Sequence, residues 1–318
     1  MKKVSIIVPH YNQPALLLKC LHALESQDYP GPVQIIISDN ATPGGIEDIR
    51  NSFPDVHFIN APQKGAACAR NAALAIAEGD IVAFTDSDCQ PARDWISAGV
   101  EGLEITGADL VGGAVDVTVE KPSAPTSVEV FEKVFGFRQK LYIEKKHFSV
   151  TANLFAHGDA VRETGLFTNG LSEDVDWCHR ARSLGFRLSF YRKCVVSHPA
   201  RQAWRDLKIK WSRLILEQRT GCQQAWGGGI AGLMRWYLLA MLIAVSALPH
   251  AALLICNPAA GTLQSRLGAT GVLFRIRIWR CVTMLKLGLT KELQMKPDDP
   301  LPGIRFDGSS VKGELCNE

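Results

Sequence analysis

Short apolar runs alternate with amphipathic segments along the first 85 residues. The runs are four to six residues long, which is typical of strands covered on both faces, and they lie at 4–8, 33–38, 56–59 and 81–85. Three segments with helical periodicity separate them, at 14–27, 46–52 and 64–77. The first of these places Leu17, Leu21 and Leu24 on one face. Strands that alternate with helices at this spacing predict an α/β fold with a doubly wound, mostly parallel sheet and helices on both faces.

The alternation continues less regularly up to about residue 200. Helices are predicted at 91–103, 128–146 and 158–164 and from Ser172 onward, and strands at 109–119, 151–155 and 195–198. We therefore expect residues 1–200 to form one domain around the sheet.

Polar side chains follow three of the predicted strands at the point where each strand ends. Tyr11 and Asn12 follow the first strand, after Pro9; Asp39 follows the second, and Asp86 with Asp88 the fourth. Ligands of open α/β sheets bind outside the carboxyl ends of strands, so these side chains should meet at one edge. Tyr11 could stack on a base, and Asp39 could accept hydrogen bonds from a base or ribose. Taken singly, Tyr11 is better explained as a half-buried ring and Asp39 as a turn residue, but their convergence predicts a nucleotide site.

The Asp86-Ser87-Asp88 stretch has two readings. Two carboxylates one residue apart can hold a divalent cation, which then bridges the phosphates of a nucleotide. The same pattern also occurs in a polar loop with two solvated acids, and a motif of this length is weak evidence by itself.

Charge is distributed unevenly along the chain. The 318 residues carry a net charge of +3, with 47% hydrophobic and 21% charged residues. Residues 201–295 contain thirteen Lys and Arg against three Asp and Glu, so this part carries +10 and the remainder −7. Because the basic residues lie beside long apolar runs, they favour an anionic membrane surface as partner over nucleic acid.

Residues 201–295 are therefore expected to form a basic and apolar helical region that associates with a membrane. Residues 236–255 contain no Asp, Glu, Lys or Arg, close to the ~20 residues that cross a bilayer. Pro249 interrupts this run and basic residues flank both sides, which favours a re-entrant or interfacial hairpin. A buried helical pair is the alternative. Residues 296–318 are polar with several Pro and Gly, as expected of a flexible tail.

The cysteines indicate a reducing compartment. There are nine, with no Cys-x-x-Cys pair, and the segment from Met1 leads into a strand without the apolar stretch of a signal peptide. Both features favour free thiols in the cytosol.

Five stretches in this order resemble the motifs of the family 2 glycosyltransferases, which have the GT-A fold. The similarity covers roughly residues 3 to 200 of this sequence. The stretches are 4–12 for the first strand and loop, 38–42 for the second, 65–73 for the Gly-x-x-x-Ala-Arg-Asn helix, 86–88 for the metal motif, and 173–180 for the acceptor-site motif.

The resemblance implies roles for the candidate residues. Asp174 would be the catalytic base, with Glu173 in support, or the two would have the opposite roles. Trp177 would face the acceptor or lie in the core, and Asp176 would face the acceptor or solvent. Asp88 would hold Mg²⁺ or Mn²⁺ with help from Asp86 and His198. Pro9, Tyr11, Asn12, Asp39, Arg70 and Asp86 would bind the nucleotide. Ser172 before two acids is, however, also ordinary helix N-terminal chemistry, and a lone His is more often a packed residue.

The implied activity is transfer of one sugar, with inversion, from a nucleotide-diphosphate sugar to a glycan or lipid-linked acceptor. The Gln-x-x-Arg-Trp signature of processive synthases is absent from 202–205, which predicts a non-processive enzyme. By analogy, the expected setting is surface polysaccharide synthesis on the cytoplasmic face of the inner membrane. A non-catalytic membrane-bound binding protein with a degenerate site stays as the alternative, and the donor base and acceptor are left open.

Overall fold

The computed structural model describes residues 1–170 and 172–289. The chain divides into two compact units. The first consists of Met1–Gln202 with Asn257–Ser265, and the second of Ala203–Cys256 with the segment that begins at Arg266. The tail expected at 296–318 and the end of the region expected at 201–295 lie outside the described residues.

The first unit is built on a single sheet. Its strands are β1 Val4–His10, β2 Val33–Asp39, β3 His57–Asn60, β4 Ile81–Phe84, β5 Gln90–Pro91, β6 Leu110–Thr118, β7 Leu154–His157 and β8 Leu188–Pro199. The described strands are ordered β3-β2-β1-β4-β7-β6-β8-β5. The first four and the β6–β8 pair are parallel, whereas β7 is antiparallel to both β4 and β6, and β5 to β8.

Helices cover both faces of this sheet. They are α1 Pro14–Glu25, α2 Glu47–Ser52, α3 Ala66–Leu74, α4 Trp95–Thr106, α5 Ser127–Phe135, α6 Gln139–Lys146, α7 Gly158–Thr164 and α8 Glu173–Ser183. Ile6 and Val8 of β1 join the core layer that contains Leu17 and Trp95, while Ile7 joins the layer that contains Trp177. Alternate residues of β1 thus enter opposite layers, which explains its continuous apolar sequence. The predicted α/β fold with helices on both faces is confirmed.

Three element boundaries differ from those predicted. Pro9 does not end β1, because it pairs with Ser38 and the carbonyl of His10 accepts a hydrogen bond from the Asn40 amide at 2.8 Å. The helix expected at 128–146 is divided into α5 and α6 by residues 136–138, where Phe137 packs on His198. The strand expected at 195–198 is the end of a twelve-residue strand, β8, which pairs with β6.

The second unit is helical. It contains α9 Trp204–Trp226, α10 Ile230–Val245, α11 Ala247–Cys256 and most of α12 Leu263–Leu289. Among the described residues, Ile230–Cys256 is the one helical run long and apolar enough to cross a membrane. Pro249 does not interrupt this run as expected, because it lies in the first turn of α11, where a proline interrupts no hydrogen bond. The re-entrant or interfacial hairpin stays a prediction.

Candidate functional site

The loop after β4 places two carboxylates of unlike surroundings side by side. Asp86 forms an ion pair with Arg70 of α3, whose Nη2 lies 2.8 Å from Asp86 Oδ1. The other terminal nitrogen, Nη1, lies 3.3 Å from Oε1 of Glu173 at the start of α8. Arg70 is buried, and burial together with Asp88 raises the pKa of Asp86 although the Arg70 charge opposes this. The guanidinium therefore joins α3, the end of β4 and α8 at one point.

Asp88 pairs instead with His198 near the end of β8, and its Oδ2 lies 3.3 Å from the histidine Nε2. The other ring nitrogen, Nδ1, donates a hydrogen bond to the carbonyl of Pro199 at 2.8 Å. Burial would lower the pKa of His198, but the hydrogen bond and charge of Asp88 raise it. Burial would raise the pKa of Asp88, and His198 lowers it below the usual value. The Nδ1 proton is thus held by the backbone, which leaves Nε2 free to bind a proton or a cation.

The residues present fit a divalent cation that is shared with a ligand. Asp88 and His198 would offer one oxygen and one nitrogen ligand, and the two atoms lie 3.3 Å apart. Within residues 1–170 and 172–289, no three His, Cys, Asp or Glu side chains form a ready metal cluster. Asp88 and His198 would hold the ion together with waters and substrate phosphates, as is usual for Mg²⁺.

Asp174, in the first turn of α8, has the surroundings of a base. It is partly exposed, and its carboxylate accepts hydrogen bonds from the Thr151 hydroxyl at 3.1 Å and the Thr151 amide at 3.3 Å. Burial raises the pKa of Asp174 to about 6; Arg70 opposes the shift, and the charges of Glu173 and Asp86 add to it. Glu173, by contrast, is buried against Arg70. The two neighbouring acids are therefore separated into one that can exchange a proton near neutral pH and one that holds the scaffold.

The loops after β1 and β2 are held together by His10, a residue to which the sequence analysis assigned no role. Its Nδ1 lies 2.9 Å from Asp39 Oδ1, and its Nε2 accepts a hydrogen bond from the Gln13 amide at 3.2 Å. The hydroxyl of Thr42 also donates to Asp39, at 2.5 Å. His10 and Thr42 lie inside the motif stretches. Asp39 and Thr42 are three residues apart, a spacing typical of a side chain that caps its own turn, and this spacing could have predicted their contact.

Asn40 joins the same edge to α3. Its amide nitrogen donates to the carbonyls of Ala61 and Gln63, and its Oδ1 accepts from the Gly65 amide at 2.8 Å. Gly65 has φ +123°, a conformation that favours glycine, and it precedes the helix that carries Arg70. Beside this rigid edge, the ring of Tyr11 is 52% exposed, and Asn12 has φ 52°. The structure therefore collects Pro9, Tyr11, Asn12 and Asp39 at neighbouring strand ends.

Trp177 and Asp176, for each of which the acceptor was one of two predicted neighbours, differ in burial: Trp177 lies in the core and Asp176 is partly exposed. Trp177 is fully buried, its ring stacks on Phe167 with centroids 5.1 Å apart, and its Nε1 donates to the Gly165 carbonyl. A side chain with no exposed face does not fit an acceptor platform. Asp176 is engaged by Arg180, 3.0 Å away, and by the Thr168 hydroxyl. Both positions follow from the helical period: on α8, residues 173, 177 and 181 face the core.

Comparison with known proteins agrees with this geometry. A family model described as "Glycosyl transferase family 2" matches residues 5–158. Glycosyltransferase AglE of Haloferax volcanii is 32% identical over 286 residues, covering 87% of this chain and 92% of the relative. The succinoglycan biosynthesis protein ExoM of Rhizobium meliloti is 28% identical over 255 residues, covering 72% and 80%. A solved mannosyltransferase from Pyrobaculum calidifontis, in complex with GDP-Man and Mn²⁺, superposes with a TM-score of 0.56 at 17% identity, covering 90% of this chain and 74% of the other.

The chain belongs to glycosyltransferase family 2. The similarity to AglE extends over nearly the whole of that relative, and the structural similarity to the mannosyltransferase confirms the GT-A type of fold. The protein is thus a glycosyltransferase of glycan biosynthesis.

Proposed function

We propose that the protein transfers one sugar, with inversion, from a nucleotide-diphosphate sugar to a hydroxyl of a lipid-linked glycan acceptor. The observation that carries the proposal is that the clustered carboxylates have different partners and different surroundings. The pKa of Asp174 is raised to about 6. Asp86 and Glu173 both pair with the buried Arg70, and Asp88 pairs with His198. Such a set contains a base, a charged scaffold and a cation ligand within one site.

The nucleotide would bind at the edge formed by the β1 and β2 ends. The exposed ring of Tyr11 offers a face for a base, and Pro9 and Asn12 shape the loop around it. Asp39 is oriented by His10 and Thr42, so its remaining acceptor capacity has a fixed direction toward a base or ribose edge. The GDP-Man bound by the mannosyltransferase of the same fold supports a nucleotide-sugar donor.

The diphosphate would lie beside Asp88. Asp88 and His198, with Asp86 in support, would hold Mg²⁺ or Mn²⁺, which when bound neutralises charge on the departing nucleoside diphosphate. Arg70 holds Asp86 in place and adds positive charge behind the site. His198 keeps Nε2 directed at Asp88 because Nδ1 is held by Pro199.

The acceptor hydroxyl would lose its proton to Asp174. Thr151 fixes the carboxylate, and Glu173 pairs with one terminal nitrogen of Arg70. The deprotonated oxygen would attack the anomeric carbon from the face opposite the diphosphate, so one displacement inverts the configuration without a covalent sugar on the enzyme.

The second unit would place this reaction at the cytoplasmic face of the inner membrane, where lipid-linked precursors of surface polysaccharide are extended. Only 28% of the most apolar stretch within Ile230–Cys256 is buried. The exposed side chains fall at helical spacing on one side: Met234, Leu238, Met241, Leu242, Val245 and Leu248. Arg235, Arg266, Arg275 and Arg277 supply positive charge for anionic headgroups.

Calorimetric titration with UDP, dTDP and GDP, with and without Mn²⁺, tests the proposal. We expect one nucleotide to bind in a Mn²⁺-dependent manner and Asp88→Ala to lose that dependence, with Asp94→Ala as the control in the next helix cap. Proton NMR of the product, once the donor is known, should show an anomeric configuration opposite to that of the donor. Failure of all three nucleotides to bind folded protein would overturn the proposal in favour of a membrane-bound binding module.

A further inference from the structure

A cleft of about 500 Å³ opens in the first unit between β6, β8 and the start of α6. This is within the volume range of pockets that bury a small ligand. Its walls combine two aromatic rings, three basic and two acidic side chains: Phe137, Phe190, Arg138, Lys140, Arg192, Asp116 and Glu144. Neither the family assignment nor the roles described above use this cleft.

Phe137 connects the cleft to the reaction centre. Its ring lines the cleft and lies 5.0 Å, centroid to centroid, from the ring of His198. His198 in turn faces Asp88. A molecule seated against Phe137 in the cleft is therefore connected to Asp88 through the rings of Phe137 and His198.

An irregularity in the sheet forms the wall that carries Arg192. Gly113 of β6 pairs with Tyr191, but its neighbour Ala114 pairs with Val195, so residues 192–194 of β8 form a bulge. The side-chain nitrogen of Asn153 donates hydrogen bonds to the carbonyls of Ala114 and Cys194 beside the bulge, at 2.8 and 3.1 Å. A bulge changes the direction in which a strand presents its side chains, and here Arg192 lies on the cleft wall.

The lining has the chemistry of a subsite for an anionic sugar. The rings of Phe137 and Phe190 can cover the apolar face of a pyranose, and Asp116 can accept hydrogen bonds from hydroxyls. Lys140 lies 3.8 Å from Glu144, so these two charges offset each other. Arg138 and Arg192 then outweigh Asp116, whereas residues 1–200 as a whole contain 19 Lys and Arg against 24 Asp and Glu. Positive charge in an otherwise acidic body attracts oxyanions locally.

We infer that this cleft is an acceptor subsite for a sugar ring that carries an oxyanion, either a phosphate or a carboxylate. The inference rests on the proposed transferase function and specifies its acceptor. Arg192 and Arg138 bind the oxyanion, and Phe137, which packs on His198, positions the ring on the side of the proposed donor site.

Saturation-transfer NMR tests the inference with three probes: glucose 1-phosphate, glucuronate and methyl glucoside. The probes are titrated into the full chain with the donor site filled by its nucleotide and Mn²⁺, and also without nucleotide. At least one anionic probe should bind more tightly than methyl glucoside. Arg192→Ala should weaken that binding about tenfold, as expected for loss of a charge-assisted hydrogen bond. Lys193→Ala, the adjacent exposed residue that pairs with Glu101, should leave it unchanged.

Each outcome has a separate meaning. Preference for glucose 1-phosphate or for glucuronate identifies the oxyanion. Equal binding of all three probes, or binding unaffected by both Arg192→Ala and Phe137→Ala, overturns the inference. Nucleotide binding without any sugar binding overturns it while the proposed function stands, whereas absence of nucleotide binding counts against the proposed function itself.

Discussion

Asp174 and Asp176 lie two positions apart on the first turn of α8, yet their surroundings give them different chemistry. Asp176 is partly exposed and forms an ion pair with Arg180, and a pair of this kind stabilises a protein by at most about 1 kcal/mol. Asp174 sits among Arg70, Glu173 and Asp86, where burial and like charges favour its protonated form. A hundred-degree turn of the helix per residue is what separates the two environments.

We predict that Asp174→Asn lowers kcat by about a thousandfold, because general-base catalysis typically contributes 10²–10⁴. Nucleotide binding measured by calorimetry should be unchanged. Asp176→Asn is the matched control and should retain activity within a few-fold. Comparable losses in both variants would mean that the base has been assigned to the wrong carboxylate.

The pH dependence follows from the same residue. A base must be ionised to accept a proton, so kcat/KM should fall about tenfold per pH unit below an apparent pKa near 6. Thr151→Val removes a hydroxyl that stabilises the ionised form, and the acidic limb should move upward by about one unit. A pH–rate profile of wild type and variant checks both. If the acidic limb of the Thr151→Val profile does not move, the titrating group is not Asp174.

At the scale of elements, Arg70 joins α3 to the end of β4 and the start of α8. Its guanidinium is buried and has a carboxylate on each terminal nitrogen. Removal of one member of a buried ionic network leaves the other buried charges without a partner. The resulting loss of stability is much larger than the loss expected if the whole network were replaced by apolar residues.

Arg70→Met should therefore lower the free energy of unfolding by roughly 3 kcal/mol. Chemical denaturation monitored by circular dichroism measures this change. Arg162→Met is the control, since Arg162 pairs with Asp159 at an exposed site and should change stability by less than about 0.5 kcal/mol. Equal stability of the two variants would show that Arg70 is not a structural hub.

The β8 bulge imposes a second requirement at this scale. A Cβ on Gly113 would lie 2.2 Å from the Cys194 carbonyl oxygen and 2.3 Å from the Asn153 amide nitrogen. Gly113→Ala should therefore destabilise the protein by about 1–3 kcal/mol. Gly221→Ala in α9, where a Cβ meets nothing within 4 Å, should be neutral or stabilising. Thermal denaturation distinguishes the two, and an unaffected Gly113→Ala variant would mean that the bulge relaxes readily.

At the scale of the molecule, charge and apolar surface are divided between the two units. Within the second unit, α10 buries Trp236, whose Nε1 donates to the carbonyl of Met284 in α12. The opposite side of α10 exposes Leu238 and Leu242, which are 60% and 56% accessible. An apolar face of this extent, beside basic residues, suits a lipid surface better than water.

We predict that the wild-type chain floats with vesicles containing phosphatidylglycerol. The double substitution Leu238→Glu and Leu242→Glu should reduce the bound fraction more than about tenfold, because carboxylates are costly in an apolar phase. Ile105→Glu, at an exposed site of α4, should float like the wild type. Equal flotation of all three proteins, or of none, would contradict a membrane role for this face.

The fold was largely predictable from local sequence. The runs that form β1, β2 and β4 are apolar because both faces are covered, and this requirement is visible at each position without knowledge of neighbours. The antiparallel direction of β7 and the length of β8 were not visible, because strand direction and partner depend on distant chain segments.

The sequence predicted which residues form the candidate site better than it predicted the contacts between them. Asp86, Asp88, Asp174 and His198 were identified from motifs, and the structure brings Asp88 to His198 and Asp86 to Arg70. The sequence left Trp177 between the acceptor side and the core, and its helical position directs it into the core. His10 was overlooked because an isolated histidine has no informative local pattern.

The sequence by itself therefore determined the α/β class, the family and the residues at the strand ends, since apolar periodicity and short motifs are local properties of the chain. The motif named Asp174 as the expected base, but only the tertiary structure decided how its surroundings differ from those of Glu173. The pKa of Asp174 depends on burial and on Arg70, Glu173 and Asp86, two of which belong to other elements. Ionisation is governed by distances through space, and these exist only once the elements have packed.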